Sequence, residues 1–143
     1  MDYYNFIIDF DFNKVRIYKY DCGIVLSEED LAVVSNKSKP AKVLVGGDAT
    51  GEFKRSLDKN TCIIKSVKNG RIEDLDTCAQ MLNMLLAKVE KKSFRKKRNI
   101  VFLVPCGLTK SEQDDYISLG YILSANNIRL ITKIQMHKQN SEI

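Results

Sequence analysis

The sequence has one histidine, no closely spaced cysteine pair and no long apolar run. The histidine, His137, lies in a polar segment, and no second histidine or cysteine is near enough in sequence to complete a zinc site. The apolar runs fall far short of the ~20 residues that a membrane-spanning helix needs. These absences argue against a structural zinc domain and against a protein that crosses a membrane with helices.

The four cysteines are too far apart to form a C-x-x-C pair or a metal-ligand spacing. Two disulfides are possible on paper, but the N-terminal residues MDYYNFII are acidic and aromatic and do not resemble a secretory signal. We therefore expect four reduced thiols in a cytoplasmic protein. The cysteines are Cys22, Cys62, Cys78 and Cys106.

Length and composition indicate one soluble globular domain spanning residues 1–143. Of the 143 residues, 44% are hydrophobic and 29% are charged, which suits a folded domain with an ordinary core. The formal net charge is +5, but the basic residues crowd between positions 88 and 98, whereas acidic residues cluster at 28–30 and 73–76. The sequence therefore predicts one basic patch rather than a generally basic surface.

Hydrophobic periodicity predicts an α/β fold. Residues 4–12 and 14–20 are predicted as strands joined by a tight turn, in which Asn13 tolerates a positive φ. β character continues through 23–27 and 30–36. The other predicted elements are a small α+β insertion at about 37–70, a helix at 74–92, a strand at 99–105, a helix from Thr109 to about 125, a last strand from 127 and a polar tail at 135–143.

This order of elements predicts a five-stranded mixed sheet in the order 3-2-1-4-5, with helices on its faces. Three antiparallel strands come first, and right-handed crossovers through the two helices then add two parallel strands. The arrangement is ribonuclease H-like, and it is similar to the first half of actin, of the Hsp70 chaperones and of the sugar kinases.

Five segments together resemble the bacterial actin homologue MreB, of the rod-shape-determining MreB/Mbl family. Each motif is short, but all five occur in the family's order and spacing between residues 5 and 131. A full-length MreB is much longer, so the resemblance implies an actin-like ATPase domain I alone. The segments are CGIVLSEEDLAVVSN, VLVGGDATGEFKRSL, KNGRIEDLDTCAQML, IVFLVPCGLTKSEQDDY and RLI.

The resemblance also implies a degenerate ATP site. In the family, the first hairpin carries Asp-Leu-Gly-Thr against the phosphates, and the matching positions here hold Asp9, Asp11 and Phe12, followed by Asn13. A side chain in place of the glycine fills the space of a phosphate, a carboxylate repels it, and a phenyl ring offers no hydrogen-bond donor. The family's catalytic glutamate falls at Thr132–Ile134, where no carboxylate remains. We therefore predict no catalytic residue, no ATPase activity, no bound cofactor and no metal.

The stretch KVEKKSFRKKRN at 88–99 is the most distinctive surface feature. Its plain interpretation is a solvated helix end and loop. In MreB-like proteins, however, this loop carries apolar residues that insert into the membrane, and here Phe94 takes that place. Each basic residue near an anionic leaflet contributes about 1 kcal/mol, and a buried phenyl adds about 1.5–3 kcal/mol. The candidate membrane- or partner-binding residues are Lys91, Lys92, Phe94, Arg95, Lys96, Lys97 and Arg98.

Two catalytic alternatives have less support. Asp9 and Asp11 lie two apart on a strand and so face one side, as a two-metal nuclease requires. The strand NIVFLVPC ends without a further acid, however, and the acids at 73–76 are better explained as helix-start residues. Cys106 precedes a helix N-terminus, where a thiolate is stabilised, but it has no histidine partner in view.

The favoured function is therefore non-catalytic binding in cell-shape or cytoskeletal assembly. Candidate partners are a full-length MreB-like filament, a second copy of the chain, and the anionic inner face of the cell membrane. One alternative is an ATP-dependent, actin-like ATPase completed by another chain. Another is a nucleic-acid-binding domain that uses the basic loop, although no recognition motif accompanies it.

Overall fold

A computed structural model describes residues 5–90 and 98–133 of the chain. No helix in these two ranges is long and apolar enough to cross a bilayer. The strands are β1 (Phe6–Asp11), β2 (Lys14–Lys19), β3 (Gly23–Glu29), β4 (Ala32–Ser35), β5 (Lys42–Gly46), β6 (Thr61–Ile64), β7 (Val67–Lys68), β8 (Arg71–Ile72), β9 (Asn99–Val104) and β10 (Asn127–Thr132), and the helices are α1 (Leu75–Val89), α2 (Lys110–Ile122) and a 3-10 helix at Gly47–Phe53.

The main sheet has the predicted topology. Its strand order is β10-β9-β1-β2-β3, so the predicted order 3-2-1-4-5 is confirmed. β1 runs antiparallel to β2 and parallel to β9, and β9 runs parallel to β10. Ile8 lies opposite both Ile17 and Phe102, and all three side chains are fully buried. The carboxyl ends of β1, β9 and β10 therefore meet at one edge of the sheet.

Local sequence signals fix the ends of both helices. The Asp74 carboxylate accepts a hydrogen bond from the Thr77 amide at 3.0 Å and so caps α1. At the start of α2, Thr109 and Glu112 form the predicted capping box, with each side chain bonded to the other residue's backbone amide. The inner face of α1 is fully buried from Cys78 to Leu86, and this burial anchors the helix in the core.

The insertion begins earlier than the predicted position 37. β4, at Ala32–Ser35, is the central strand of a separate three-stranded sheet in the order β5-β4-β6. Its four residues are all buried because strands flank it on both sides. A β-rich stretch gives no indication of which sheet it will join, so the sequence could not separate β4 from the main sheet.

A buried carboxylate joins the two ends of the insertion. Asp30, only 2% exposed, lies between β3 and β4. It accepts hydrogen bonds from Ser66 Oγ at 3.0 Å and from the Val67 amide at 3.1 Å, just after β6, the last strand of the insertion's sheet. Burial raises the pKa of Asp30 above its ordinary value, and the hydrogen bonds from Ser66 and Val67 oppose that rise.

Candidate functional site

A cleft of about 350 Å³ opens at the carboxyl edge of the main sheet. Its walls come from the β1–β2 turn, the β7–β8 turn, and Pro105, which follows β9. Two lysines, Lys65 and Lys133, also line it. In open α/β sheets, ligands commonly bind outside the carboxyl ends of the strands, so this cleft is the candidate site.

The β1–β2 turn presents an aromatic side chain in a strained backbone conformation. Phe12 has φ +55° and is 90% exposed, so the positive φ falls on Phe12 and not on Asn13 as predicted. Asn13 is held differently, because Lys65 donates to its side-chain oxygen at 2.5 Å and to the Phe12 carbonyl at 3.3 Å. A two-residue hairpin turn requires a positive φ at its first residue, and here that residue is Phe12.

The predicted carboxylates of β1 are both ion-paired. Asp11 accepts a hydrogen bond from Arg16 Nη1 at 3.1 Å, in a pair that is partly open to solvent. Asp9 is 8% exposed, and its Oδ1 lies 2.7 Å from the ammonium of Lys133 without hydrogen-bond geometry. The same ammonium donates to the Phe10 carbonyl at 2.7 Å. Each carboxylate at this turn therefore already has a cation.

The β7–β8 turn forms the opposite wall and is packed tightly. Asn69 and Gly70 both have positive φ, as the Asn-Gly pair favours. A Cβ on Gly70 would lie 2.3 Å from Pro105 Cγ, and the Tyr116 hydroxyl donates to the Gly70 carbonyl at 2.6 Å. Burial raises the pKa of Tyr116, so its hydroxyl stays protonated as the donor.

The residues of this cleft do not fit magnesium–ATP, which the actin-like fold implies. Asp9 and Asp11 are paired with Lys133 and Arg16, and neither carboxylate is left to order the water around a metal ion. Among the described residues, no group of three acidic, histidine or cysteine side chains could hold a metal. Asp11 also places a side chain at the position where the family has a glycine.

Sequence reasoning missed the two cleft lysines. Lys133 lies in the segment where the family's catalytic glutamate falls, and Lys65 lies in the predicted insertion. Neither has a motif around it, because their role depends on contacts between distant parts of the chain. The local signals at this edge are turn residues, namely Asn13 between β1 and β2 and the Asn69–Gly70 pair between β7 and β8.

Of the predicted membrane- or partner-binding residues, the structure describes only the last, Arg98. Lys91, Lys92, Phe94, Arg95, Lys96 and Lys97 lie outside the described residues. Arg98 is 7% exposed, and its guanidinium binds both oxygens of Glu90 at 2.8 Å. It also donates to Asn83 Oδ1 at 2.7 Å and to the Leu123 carbonyl at 2.8 Å. The prediction that Arg98 contacts a membrane or partner is therefore wrong, since the fold uses it internally.

Comparison with known protein families confirms the family resemblance. The model of the MreB/Mbl protein family matches residues 4–137. The cell shape-determining protein Mbl of Bacillus cereus is 29% identical over 106 residues, which cover 74% of this chain and 31% of Mbl.

Comparison with solved structures confirms the actin-like fold. MreB5 of Spiroplasma citri bound to AMPPNP matches with a TM-score of 0.78 at 17% identity, over 99% of this chain and 43% of MreB5. Its ADP-bound form matches with a TM-score of 0.71 at 17% identity, over 90% of this chain and 38% of MreB5. The MamK double helical filament matches with a TM-score of 0.66 at 11% identity, over 89% of this chain and 40% of MamK. This chain thus spans less than half the length of each of these proteins.

Proposed function

The chain belongs to the MreB/Mbl family of actin-like proteins, and we propose that it acts in cytoskeletal assembly by binding, without hydrolysing ATP. Its proposed partners are actin-like filaments, further copies of itself, and the anionic inner surface of the cell membrane. The domain supplies the binding surfaces, and its cleft is a remnant of the family's nucleotide site.

The pairing of both β1 carboxylates, Asp9 and Asp11, carries the non-catalytic part of this proposal. Lys133 Nζ lies 2.7 Å from Asp9, and Arg16 lies 3.1 Å from Asp11. Phosphoryl transfer depends on a metal ion that bridges phosphates and on a residue that orients the attacking water. A carboxylate held by a cation serves neither purpose. The residues from Asn127 to Lys133, at the end of which the family's catalytic glutamate falls, also contain no acid.

The composition of the β1–β2 turn supports the same conclusion. Family members that bind phosphate there need a residue without a side chain, whereas in this chain Asp11 lines the cleft. Phe12, the next residue, supplies no hydrogen-bond donor from its side chain. The turn therefore opposes a phosphate sterically.

Phosphate release from ATP tests this part. The unmodified chain is expected to release phosphate at the background rate of the buffer. The double substitution Asp11→Gly and Phe12→Thr restores the family's residues and is expected to increase affinity for magnesium–ATP, measured by calorimetry. A rate above background in the unmodified chain would contradict the proposal and favour an ATPase completed by another chain.

Filament binding is supported by the family and by the fold. The relative Mbl determines cell shape, and the structural neighbour MamK was solved as a double helical filament. We expect the chain to sediment with filaments of an MreB/Mbl protein to the same extent with ATP, with ADP and without nucleotide. Co-sedimentation that requires ATP bound by this chain would contradict a purely binding role.

Membrane binding is supported by the geometry at the ends of the basic segment. The bidentate contact joins Glu90 and Arg98, the described residues on either side of 91–97. The segment holds Phe94 and five cations. Near an anionic leaflet, each cation contributes about 1 kcal/mol.

Vesicle co-sedimentation tests the membrane interaction. The chain is expected to bind vesicles that contain phosphatidylserine and not neutral vesicles. Phe94→Ala and Lys96→Glu should each weaken binding, and only the second should weaken binding to duplex DNA. Equal loss of DNA and vesicle binding in Phe94→Ala would favour a nucleic-acid interface instead.

A further inference from the structure

Asp9 is a buried carboxylate that requires a positive partner. Its side chain is 11% exposed, and a carboxylate taken out of water is costly unless it is paired. Among the described residues, Lys133 is the cation within ion-pair distance. The Tyr116 hydroxyl also faces this region, and the Asp9 charge contributes to the raised pKa of Tyr116.

The Lys133 ammonium makes the contacts that a bound cation would make. It lies 2.7 Å from a carboxylate oxygen and 2.7 Å from the Phe10 carbonyl oxygen, and these are the oxygen donors that hard metal ions take in proteins. It comes from the residue after β10 and reaches past the end of β9 to β1. Its side chain is 23% exposed at the cleft wall.

We propose that Lys133 is a built-in counter-cation, occupying the position of a divalent metal at Asp9 and making the cleft complete without metal or nucleotide. This inference deepens the proposed function, because it explains how a domain that has lost its nucleotide chemistry keeps the buried acid of its first strand. Removing the ammonium leaves the Asp9 carboxylate and the Phe10 carbonyl exposed to the cleft, beside Asp11. That set of oxygens should then attract a divalent cation.

Thermal unfolding of the full chain in EDTA and in millimolar magnesium or manganese tests the proposal. For the unmodified protein, we expect the same Tm in all three buffers, within about 1 °C. Lys133→Met should lower the Tm in EDTA by about 5–10 °C. Magnesium or manganese should then recover part of that loss in the variant alone. A Lys133→Met Tm equal to that of the unmodified chain, or an equal metal response in both proteins, would overturn the proposal.

Two further variants distinguish the role of the charge from the role of side-chain packing. Lys133→Arg keeps the positive charge and should retain most of the stability without a metal response. The double variant Asp9→Asn with Lys133→Met removes both charges and should regain most of the Tm lost in Lys133→Met. If Lys133→Met does not fold, recovery of a folded protein on adding Asp9→Asn supports the proposal, and failure to recover overturns it.

A matched surface change controls for the loss of any lysine. Lys110 pairs with Asp114 on the exposed face of α2, at 3.2 Å and with 86% of the lysine side chain open to solvent. Lys110→Met should change the Tm by no more than about 1 °C and should give no metal response. ATP turnover is measured separately, so a hydrolysing wild type would refute the proposed function while these Tm results still decide the role of Lys133.

Discussion

Two buried ion pairs lie at opposite edges of the main sheet and differ in character. Arg98 and Glu90 lie at the amino end of β9, with side chains 8% and 9% exposed. Lys133 and Asp9 lie at the carboxyl edge, with side chains 23% and 11% exposed. The arginine makes four hydrogen bonds that join α1, the end of α2 and the start of β9. The lysine instead lies in the wall of an open cleft.

The difference separates a structural ion pair from one that takes the place of a ligand. A guanidinium with all its contacts inside the protein leaves nothing for another molecule to bind. An ammonium beside a cleft, by contrast, occupies oxygens that would otherwise meet solvent or a cation. The ion pair at the amino edge therefore serves the fold itself, whereas the one at the carboxyl edge forms part of a cleft wall.

Arg98→Met should give the largest effect. It removes the guanidinium that binds both oxygens of the buried Glu90 carboxylate, and breaking a buried ion pair typically costs about 3–5 kcal/mol of unfolding free energy. Urea denaturation of this variant measures the loss. Replacing both partners with apolar residues, as Glu90→Leu with Arg98→Met, should restore much of it. A loss below about 1 kcal/mol would make the amino-edge pair no more important than a surface pair.

Gly70→Ala should come next and tests the packing of the cleft wall. The new methyl group would meet Pro105 Cγ at 2.3 Å, and φ is +76°, so strain and overlap together should cost about 2–4 kcal/mol. Gly107→Ala is the matched control, because φ there is +85° but no atom lies within 4 Å of the added carbon. The control should cost only about 1–2 kcal/mol. Equal costs would mean that the β7–β8 turn is not tightly packed against Pro105.

Phe12→Gly should have a smaller effect, in the stabilising direction. A left-handed conformation costs a non-glycine residue about 1–2 kcal/mol, and a 90% exposed phenyl contributes little burial. We expect the free energy of unfolding to rise by about 0.5–1 kcal/mol, since glycine also has more freedom to lose on folding. Phe12→Ala keeps the strain and should leave stability nearly unchanged. Destabilisation by Phe12→Gly would show that the ring is held in the folded protein.

The smallest expected effect is a difference in pH slope at Asp30. Burial raises its pKa in the folded state, so the folded protein binds the proton more tightly than the unfolded chain. The contribution of Asp30 to stability is therefore greatest at low pH and falls as pH rises from about 3.8 through the raised pKa. Comparing the chain with Asp30→Asn by urea denaturation at several pH values should show this falling difference. A difference that stays constant across this pH range would contradict a raised pKa at Asp30.

Local signals were sufficient for much of the fold. Neighbouring residues alone indicate the capping box at Thr109, the apolar spacing of α1 and the continuous apolar run of β9. Rules for connecting strands and helices then predict the strand order. The membership of β4 in a second sheet was not predictable, because Ala32–Ser35 has the same β character whichever strands flank it.

The sequence predicts which residues of the family's nucleotide site are missing, but it does not predict which residues pair with those that remain. The substitutions at Asp11 and Phe12 are visible once the first hairpin is compared with the family's motif. The partner of Asp9, however, comes from the other end of the described chain, and nothing in the sequence around Lys133 marks it. Arg98 resembles the other cations of its run in sequence, and only the fold shows that Glu90 and Asn83 surround it.

Calorimetric titration of magnesium–AMPPNP into the unmodified chain tests the central claim most directly. Because the β1 carboxylates beside the cleft are already paired with Lys133 and Arg16, we expect no saturable heat, whether or not magnesium is present. Saturable binding at micromolar concentrations that is lost on chelating magnesium would contradict the account, because it would mean that the cleft still holds a metal–nucleotide complex.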